Sequence, residues 1–182
     1  MKLLILDRDG VINEDSDHYI KSPDEWIPLP GSIEAIAAFS QAGYLVTVAS
    51  NQSGLARGLF SEIDLANMHQ KMSALVEALG GRIDGVFYCP HLPADGCACR
   101  KPGTGLLEAI AREFDISLQG ATFVGDSDKD IQAARAVGAQ AILVRSGKGA
   151  ATETAMSAEE LAGVGVFDDL AAVAEQLLRK SS

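Results

Sequence analysis

The sequence predicts an α/β fold: a doubly wound parallel sheet with helices on both faces. Short, nearly continuous apolar segments alternate along the chain with longer amphipathic segments, which is the pattern of parallel strands that are buried on both faces and connected by helices. The 182 residues, 47% of them hydrophobic, are enough for one domain with its own core. We therefore expect a single domain over residues 1–182, without a separate cap domain.

The elements follow from these two patterns in chain order. The apolar segments predict five strands, at Lys2–Leu6, Tyr44–Ala49, Gly85–Tyr88, Ala121–Val124 and Gln140–Val144. The amphipathic segments predict helices near Ser32–Gln41, Ser61–Leu79, Thr104–Phe114, Asp128–Val137 and Asp168–Arg179. Ser61 and Asp64 form a weak version of a capping box, and Gly43 and Gly138 stand where helices should end. Residues 147–165 are predicted to form a polar surface stretch with a short helix.

The charge balance excludes two classes of partner. Fifteen Lys and Arg against 25 Asp and Glu give a net charge of −10, whereas nucleic acid or an anionic membrane would require a basic face. No apolar run reaches the 18 residues of a membrane span, and the first residues do not form a signal-peptide core. We expect a cytoplasmic monomer that binds a small molecule.

Acidic residues follow the first and fourth predicted strands. Asp7 and Asp9 would repel each other if unpaired, and a divalent cation would resolve the conflict; an ordinary turn rich in Asp and Gly is the alternative. Asp126, Asp128 and Asp130 fall within five residues at a helix start. Capping alone favours acids there, but three acids suit a hard cation that prefers oxygen ligands. Ligands bind beyond the carboxyl ends of parallel strands, so these acids predict one site.

Two further segments could bind phosphate at the same edge. The second strand is followed by the polar residues Ser50, Asn51, Gln52 and Ser53, whose hydroxyl, amide and backbone N–H groups could hold phosphate oxygens. Arg100 and Lys101 precede Pro102 at a helix start, where cations are normally unfavourable and a bound anion would explain them. A capped polar loop and a solvated pair of cations are the respective alternatives.

All three cysteines lie in one eleven-residue segment after the third strand. Cys89, Cys97 and Cys99 occur there together with His91, one of only three histidines. Three thiolates and one imidazole make a closed, tetrahedral zinc site of the structural kind, whereas exposed free thiols at this density would be a liability. The sequence therefore predicts a small zinc-bound loop that fixes the approach of Arg100 and Lys101 to the site.

Taken together, the four motifs resemble those of the haloacid dehalogenase superfamily of phosphatases. They are Asp7-Arg8-Asp9-Gly10, Ser50-Asn51, Arg100-Lys101-Pro102 and Gly125-Asp126-x-x-x-Asp130. The resemblance spans Leu3 to about Gly149 and implies a magnesium-dependent phosphomonoester hydrolase.

The resemblance also implies the roles of the motif residues. Asp7 would be the nucleophile that forms an aspartyl-phosphate, and Asp9 the general acid and then the general base. Mg²⁺ would be held by the Asp7 carboxylate, the Asp9 carbonyl and Asp126, with Asp130 supporting the ion from outside its direct ligands. Ser50 and Asn51 would bind the phosphoryl group, and Lys101 would neutralise its charge.

Within the superfamily, the zinc loop resembles that of the D-glycero-D-manno-heptose 1,7-bisphosphate 7-phosphatases, which have no lid domain. This implies a sugar bisphosphate as substrate and a place in nucleotide-heptose and lipopolysaccharide core synthesis. The implied substrate contacts are Asp15, His18, Tyr19, Gln52, Ser53, Arg57 and Arg100. His18 and Tyr19 could equally be ordinary surface residues. His69 lies on a predicted helix and is assigned no role.

Three other functions stay open on the sequence alone. The histidinol-phosphate phosphatases share the same features, and Asp17 could meet the amine of that substrate. A catalytically inactive phosphate-binding module would not require intact Asp7, Asp9, Lys101 and Asp126. A phosphotransferase differs only in whether water or another hydroxyl attacks the aspartyl-phosphate.

Overall fold

The computed structural model describes residues 1–179, so the last three residues of the predicted domain lie outside the described part. The strands are β1 (Lys2–Leu6), β2 (Tyr44–Asn51), β3 (Gly85–Cys89), β4 (Thr122–Gly125), β5 (Gln140–Val144) and β6 (Gly165–Phe167). The helices are α1 (Ser32–Gln41), α2 (Glu62–Ala78), α3 (Gly105–Phe114), α4 (Asp128–Ala136), α5 (Gly149–Ala155) and α6 (Leu170–Arg179). A 3₁₀ turn covers Pro93–Asp95.

The six strands form one parallel sheet in the order β3-β2-β1-β4-β5-β6. The chain moves outward from β1 to β3 and then returns to the other side of β1 with β4. The strand order therefore reverses between β1 and β4, and this switch point is where such sheets bind ligands. Leu6 pairs with Val48 on one side and Val124 on the other, which brings the ends of three strands together.

Both faces of the sheet are covered, as the apolar segments predict. Along β1, Leu4 and Leu6 belong to the core beneath α1, α2 and α6, while Leu3 and Ile5 belong to the core beneath α3 and α4. Neighbouring residues of a strand point to opposite faces, so a strand with helices on both sides must be apolar at every position. The predicted fold class is confirmed.

The structure differs from the predicted elements at β6. Five strands are predicted, and the sheet has a sixth at Gly165–Phe167. Three residues that begin with glycine give too short a pattern to identify a strand; pairing with β5 forms it. The predicted short helix in residues 147–165 is α5, and the capping box of Ser61 and Asp64 begins α2. Within residues 1–179, no helix has the length and apolar character needed to cross a bilayer.

Candidate active site

A cavity of about 550 Å³ opens at the carboxyl ends of the strands around the switch point. Each of the four motifs contributes to its lining, with Asp7 and Asp9 after β1, Ser50 at the end of β2, Lys101 before α3 and Asp126 after β4. Residues 15–17 and 19–20, from the segment between β1 and α1, also line it. The parallel sheet therefore gathers residues that are more than a hundred positions apart in the sequence.

Lys101 joins two of the motif carboxylates. Its Nζ donates to Asp7 Oδ1 at 3.0 Å, to Asp130 Oδ1 at 2.7 Å and to the Ala49 carbonyl at 2.8 Å. These three acceptors match the three N–H groups of an ammonium. Burial opposes the charge of Lys101, but the Asp130 and Asp7 carboxylates outweigh that effect and raise its pKa above the usual value. The cation is thus fixed beside the predicted nucleophile.

Asp7, Asp126 and Asp130 form a cluster that could hold a cation. One carboxylate oxygen from each lies within 4.8 Å of the others. Burial, and then the neighbouring Asp130 carboxylate, raise the pKa of Asp7 well above its usual value and that of Asp126 to about 6. Negative charge is therefore in excess here even with Lys101 present. A hard divalent cation with oxygen ligands, such as Mg²⁺, fits this donor set.

Both carboxylate oxygens of Asp130 already accept hydrogen bonds within the protein. Its Oδ1 accepts from Lys101, and its Oδ2 accepts from Ser127 Oγ at 3.0 Å and from the backbone N–H groups of Asp126 and Ser127 at 3.2 Å. Asp130 is thus the acid of a capping box at the start of α4. Helix capping and a place in the cation site were alternative interpretations of this acid. The Asp130 side chain does both, because it caps α4 and also lies in the acidic cluster.

Asp9 lies in a different electrostatic environment from Asp7. Its Oδ1 accepts from Arg8 Nε at 3.0 Å, Arg8 Nη2 at 2.8 Å and Asn13 Nδ2 at 2.8 Å, and its Oδ2 accepts from Gln52 Nε2 at 3.1 Å. Burial alone would raise the pKa of Asp9, but the Arg8 charge and these hydrogen bonds lower it. The two carboxylates of the first motif therefore have pKa values shifted in opposite directions, with Asp7 raised and Asp9 lowered. A divalent cation bound beside Asp7 would favour its ionised form, because an opposite charge lowers a carboxyl pKa.

The residues at the end of β2 contribute donors and also hold one another. Ser50 Oγ accepts from Gln52 Nε2 at 2.8 Å, which leaves its hydroxyl hydrogen to donate. Both polar atoms of the Asn51 side chain are bonded to the Lys101 backbone, while its amide nitrogen carries a second hydrogen. All four residues of this segment, Ser50, Asn51, Gln52 and Ser53, line the cavity.

The loop after β5 belongs to the site and was not predicted. Lys148 N donates to Asp126 Oδ2 at 3.0 Å, Thr152 Oγ1 to the Asp126 carbonyl at 2.8 Å, and Ser146 Oγ to the Gly10 carbonyl at 2.8 Å. Lys148 Nζ lies 3.5 Å from Asp15 Oδ2 across the cavity. The rule that ligand-binding residues follow each strand would have identified this loop if it had been applied to the fifth strand.

The predicted substrate contacts are only partly brought together. Asp15, Tyr19, Gln52, Ser53 and Arg100 line the cavity. His18 and Arg57 are absent from its lining among the described residues. The Arg57 guanidinium lies 5.9 Å from the centroid of the Tyr19 ring, so it contacts the segment that borders the cavity rather than the cavity itself. Ser127 and Lys129 at the start of α4 line it without having been predicted, and they do so beside Asp128, one of the three acids expected there.

The Cys89, His91, Cys97 and Cys99 side chains converge as the zinc prediction requires. The sulfur–sulfur distances are 3.5 Å for Cys89–Cys97 and 3.6 Å for Cys97–Cys99, and His91 Nδ1 lies 3.5 and 3.2 Å from the Cys89 and Cys99 sulfurs. A tetrahedral zinc site with Zn–S bonds of about 2.3 Å has sulfurs about 3.8 Å apart. The three cysteines form no disulfide. The donor set and its geometry therefore fit Zn²⁺.

The cluster is tied to the site through the backbone. Cys89 ends β3, and its carbonyl accepts from Gln52 N at 2.8 Å. The Ala98 carbonyl, between two of the cysteines, accepts from Gly105 N at 2.9 Å at the start of α3. Burial and the neighbouring Cys89 and Cys97 sulfurs raise the pKa of Cys99 to about 12. Bound zinc would lower this pKa, because it binds the thiolate form of cysteine.

Known proteins resemble this chain over its whole length. Residues 98–173 match a family model described as HAD-hydrolase-like. A D-glycero-beta-D-manno-heptose-1,7-bisphosphate 7-phosphatase from Pseudomonas putida is 54% identical over 179 residues, which cover 98% of this chain and 100% of the relative. The crystal structure of D,D-heptose 1,7-bisphosphate phosphatase from B. bronchiseptica, complexed with magnesium and phosphate, has a TM-score of 0.93 at 52% identity and covers 99% of both chains. The crystal structure of D,D-heptose 1,7-bisphosphate phosphatase from Burkholderia thailandensis has a TM-score of 0.76 at 45% identity, and the match covers 98% of this chain and 99% of that chain.

The doubly wound sheet and the acidic loops at its switch point are features of haloacid dehalogenase-type hydrolases, the class that the family model describes. At more than half identity over almost the full length of both proteins, the chain belongs to the D-glycero-beta-D-manno-heptose-1,7-bisphosphate 7-phosphatase family. The resemblance drawn from the four motifs is confirmed.

Proposed function

We propose that this protein is a magnesium-dependent phosphatase that removes the 7-phosphate of D-glycero-D-manno-heptose 1,7-bisphosphate through an aspartyl-phosphate on Asp7. The observation that carries the proposal is the bridge from Lys101 Nζ to Asp7 and Asp130, with Asp126 in the same cluster. In this arrangement a buried lysine and a cluster that could hold a cation lie beside the proposed nucleophile, which supports the proposal. Family membership supports the substrate, because the relatives bear the name of this activity.

In the first step, an oxygen of Asp7 attacks the phosphorus of the 7-phosphate. The bond between phosphorus and the sugar oxygen breaks, and its electron pair goes to that oxygen, which receives a proton from Asp9. The pKa of Asp9 is lowered in the protein without substrate, and an incoming phosphate dianion favours proton uptake because like charges raise a carboxyl pKa. Ser50 and Asn51 donate to the phosphoryl oxygens, and the positive charge of Lys101 beside Asp7 neutralises part of their charge.

In the second step, water attacks the phosphorus of the aspartyl-phosphate. Asp9, now a carboxylate, takes a proton from this water, and the bond between phosphorus and Asp7 breaks with its electron pair returning to the carboxylate. Phosphate leaves, and Asp7 and Asp9 are ready for the next cycle. Asp9 thus acts first as the general acid and then as the general base, and it regains in the second step the proton that it gave up in the first.

Asp7, Asp126 and the Asp9 carbonyl would hold Mg²⁺, with Asp130 fixing the backbone around them. When bound, the ion supplies positive charge to the phosphoryl oxygens and to the Asp7 carboxylate. A bacterial relative with 52% identity has been crystallised with magnesium and phosphate, which supports this assignment. Cys89, His91, Cys97 and Cys99 would hold Zn²⁺ as a structural ion, since all four positions are filled by protein ligands.

Asp15, Tyr19, Gln52, Ser53 and Arg100 are the proposed contacts for the sugar and its second phosphate, since they line the cavity. The cations Lys129 and Lys148 join Arg100 there, and an anionic substituent far from the reacting phosphate suits them. In this proposal His18 and Arg57 act indirectly, His18 as part of the segment over residues 15–20 that lines the cavity, and Arg57 through its contact with Tyr19. We further propose that the protein is a monomer in the cytoplasm. Measuring its molecular mass in solution tests the oligomeric state.

The direct test is phosphate release with Mg²⁺ from heptose 1,7-bisphosphate and histidinol phosphate, measured side by side. Strong preference for the bisphosphate, with the 1-phosphate left intact in the product, is expected. Preference for histidinol phosphate would keep the fold and the mechanism but overturn the substrate. Transfer of the phosphoryl group to an added alcohol instead of water would overturn the hydrolase assignment in favour of a phosphotransferase.

A further inference from the structure

Arg8 is a fully buried cation within the first motif. Its relative exposure is 0%, which is rare for arginine unless its charge is paired. The Nε and Nη2 atoms donate to the same oxygen of Asp9, Oδ1, at 3.0 and 2.8 Å. The remaining terminal nitrogen, Nη1, lies 3.2 Å from Nε2 of His69. Arg8 therefore connects Asp9 to a residue 61 positions away on α2.

The protonation of His69 follows from this contact. A guanidinium only donates hydrogen bonds, so Nε2 of His69 must present a lone pair and the ring must be neutral, with its proton on Nδ1. Burial, followed by the charge of Arg8, lowers the pKa of His69 to about 4, which agrees with a neutral ring. The ring also packs near Tyr88, with the centroids 6.1 Å apart, so His69 is fixed on a second side.

The two oxygens of Asp9 are not equivalent. Oδ1 accepts from both Arg8 nitrogens and from Asn13 Nδ2, three donors in total. Within residues 1–179, the donor to Oδ2 is Gln52 Nε2 alone. A carboxylate oxygen with three donors has no lone pair left for a proton, so Oδ2 is the oxygen able to exchange one.

We propose that His69 is a positioning residue for the phosphatase reaction: its Nε2 fixes the Arg8 guanidinium, which in turn holds Asp9 with Oδ2 directed to the sugar oxygen that leaves. The inference rests on the role of Asp9 in the proposed function. His69 lies outside the cavity lining of the described residues and acts only through Arg8 and Asp9. Without His69, Nη1 would lose its acceptor in a buried place, and the guanidinium could rotate off Oδ1.

The test compares two substrates that differ in their need for a proton. A sugar alkoxide leaves only when it is protonated, whereas the nitrophenolate of p-nitrophenyl phosphate leaves without a proton. His69→Leu should lower kcat/KM for heptose 1,7-bisphosphate by about tenfold, a fraction of what general acid catalysis contributes. The same variant should change kcat/KM for p-nitrophenyl phosphate by less than about twofold. His69→Gln, whose amide oxygen can accept from Arg8, should restore most of the lost rate.

A matched control separates positioning from stability. Val76→Ala removes two buried methyl groups two turns further along α2, where Val76 is fully buried, and should lower the thermal midpoint. It should leave the ratio of the two kcat/KM values unchanged. Equal losses on both substrates in His69→Leu, or no recovery in His69→Gln while both variants stay folded, would overturn the inference.

The outcome for the wild-type protein tests the proposed function separately. If it hydrolyses p-nitrophenyl phosphate and a simple alkyl phosphate but not the heptose bisphosphate, the substrate is wrong, and the alkyl phosphate takes the sugar's place in the comparison. If it hydrolyses none of the three, the phosphatase proposal fails and the inference fails with it.

Discussion

The Asn51 side chain and the Lys101 backbone exchange two hydrogen bonds across 50 positions of sequence. Lys101 N donates to Asn51 Oδ1 at 3.0 Å, and Asn51 Nδ2 donates to the Lys101 carbonyl at 3.2 Å. This pair joins the end of β2 to the segment that leaves the cysteine loop. Asn51 therefore sets the position of the lysine that bridges Asp7 and Asp130, in addition to its proposed contact with phosphate.

Replacing Asn51 with alanine should lower kcat/KM by about tenfold to a hundredfold. Two hydrogen bonds worth about 1 kcal/mol each are lost, and Lys101 is no longer held against Asp7. Steady-state kinetics with the bisphosphate measure the effect. Gln41→Ala is the control, because it removes a side-chain bond to the Leu79 carbonyl remote from the cavity; a similar rate loss there would contradict this reason.

The Asp7→Asn variant should have lost at least about a thousandfold in phosphate release, because an amide cannot serve as the nucleophile. The substitution keeps the shape of the side chain and removes one negative charge from a cluster with raised pKa values. We therefore expect the thermal midpoint to be unchanged or higher. An unaltered rate of phosphate release would refute the nucleophile assignment.

Gly10→Ala should weaken magnesium binding. Gly10 has φ +86°, and a Cβ there would collide with the Asp126 carboxylate. We expect a higher Mg²⁺ concentration for half-maximal activity, in addition to a stability loss of about 1–2 kcal/mol from left-handed backbone strain. Gly43→Ala is a close control, with φ +90° and no atom within 4 Å of the added Cβ. Equal magnesium requirements in the two variants would show that the Asp126 contact does not matter.

The cysteine cluster should contain about one zinc per chain when the protein is purified without added zinc. Cys99→Ser should lower both the zinc content and the thermal midpoint, since metal binding contributes directly to folding. His18→Ala, which alters a histidine outside the cluster, should retain the zinc. Protein without zinc and with three titratable thiols would rule out the site.

The ion pairs of Arg145 should make a small, pH-dependent contribution to stability. Arg145 Nε donates to Glu153 Oε2 at 2.7 Å, and its Nη1 donates to Asp168 Oδ1 at 2.8 Å. The hydrogen bond from Arg145 lowers the pKa of Glu153 below 4.5, so the stabilisation is present above that pH and is lost as the pH falls through the lower, folded-state pKa. The difference in thermal midpoint between wild type and Glu153→Gln should therefore shrink on acidification. A difference that persists below both pKa values, or that high salt does not reduce, would argue against an ionic origin.

The sequence determined the fold class and the residues of the cation cluster. Apolar segments alternating with amphipathic ones predict a parallel sheet, and the carboxyl ends of its strands lie on one edge. Asp7, Asp126 and Asp130 come within five residues of a strand end, and Lys101 precedes a predicted helix start at the same edge, so their convergence could be predicted. The cysteine loop was equally predictable, because the four residues that could hold zinc lie within eleven positions of one another.

Only the tertiary structure decided which side chains hold these residues in place. His69 on α2 meets Arg8, and Lys148 meets Asp15 and Asp126, through the packing of elements that are distant in sequence. The bonding of Asn51 to Lys101 and the formation of β6 against β5 are decided in the same way. Local patterns record which face of a strand or helix is apolar, but the direction and partner of a single polar side chain depend on what packs against it. The sequence thus specified the groups proposed to react, and the packing of the folded chain fixed their orientation.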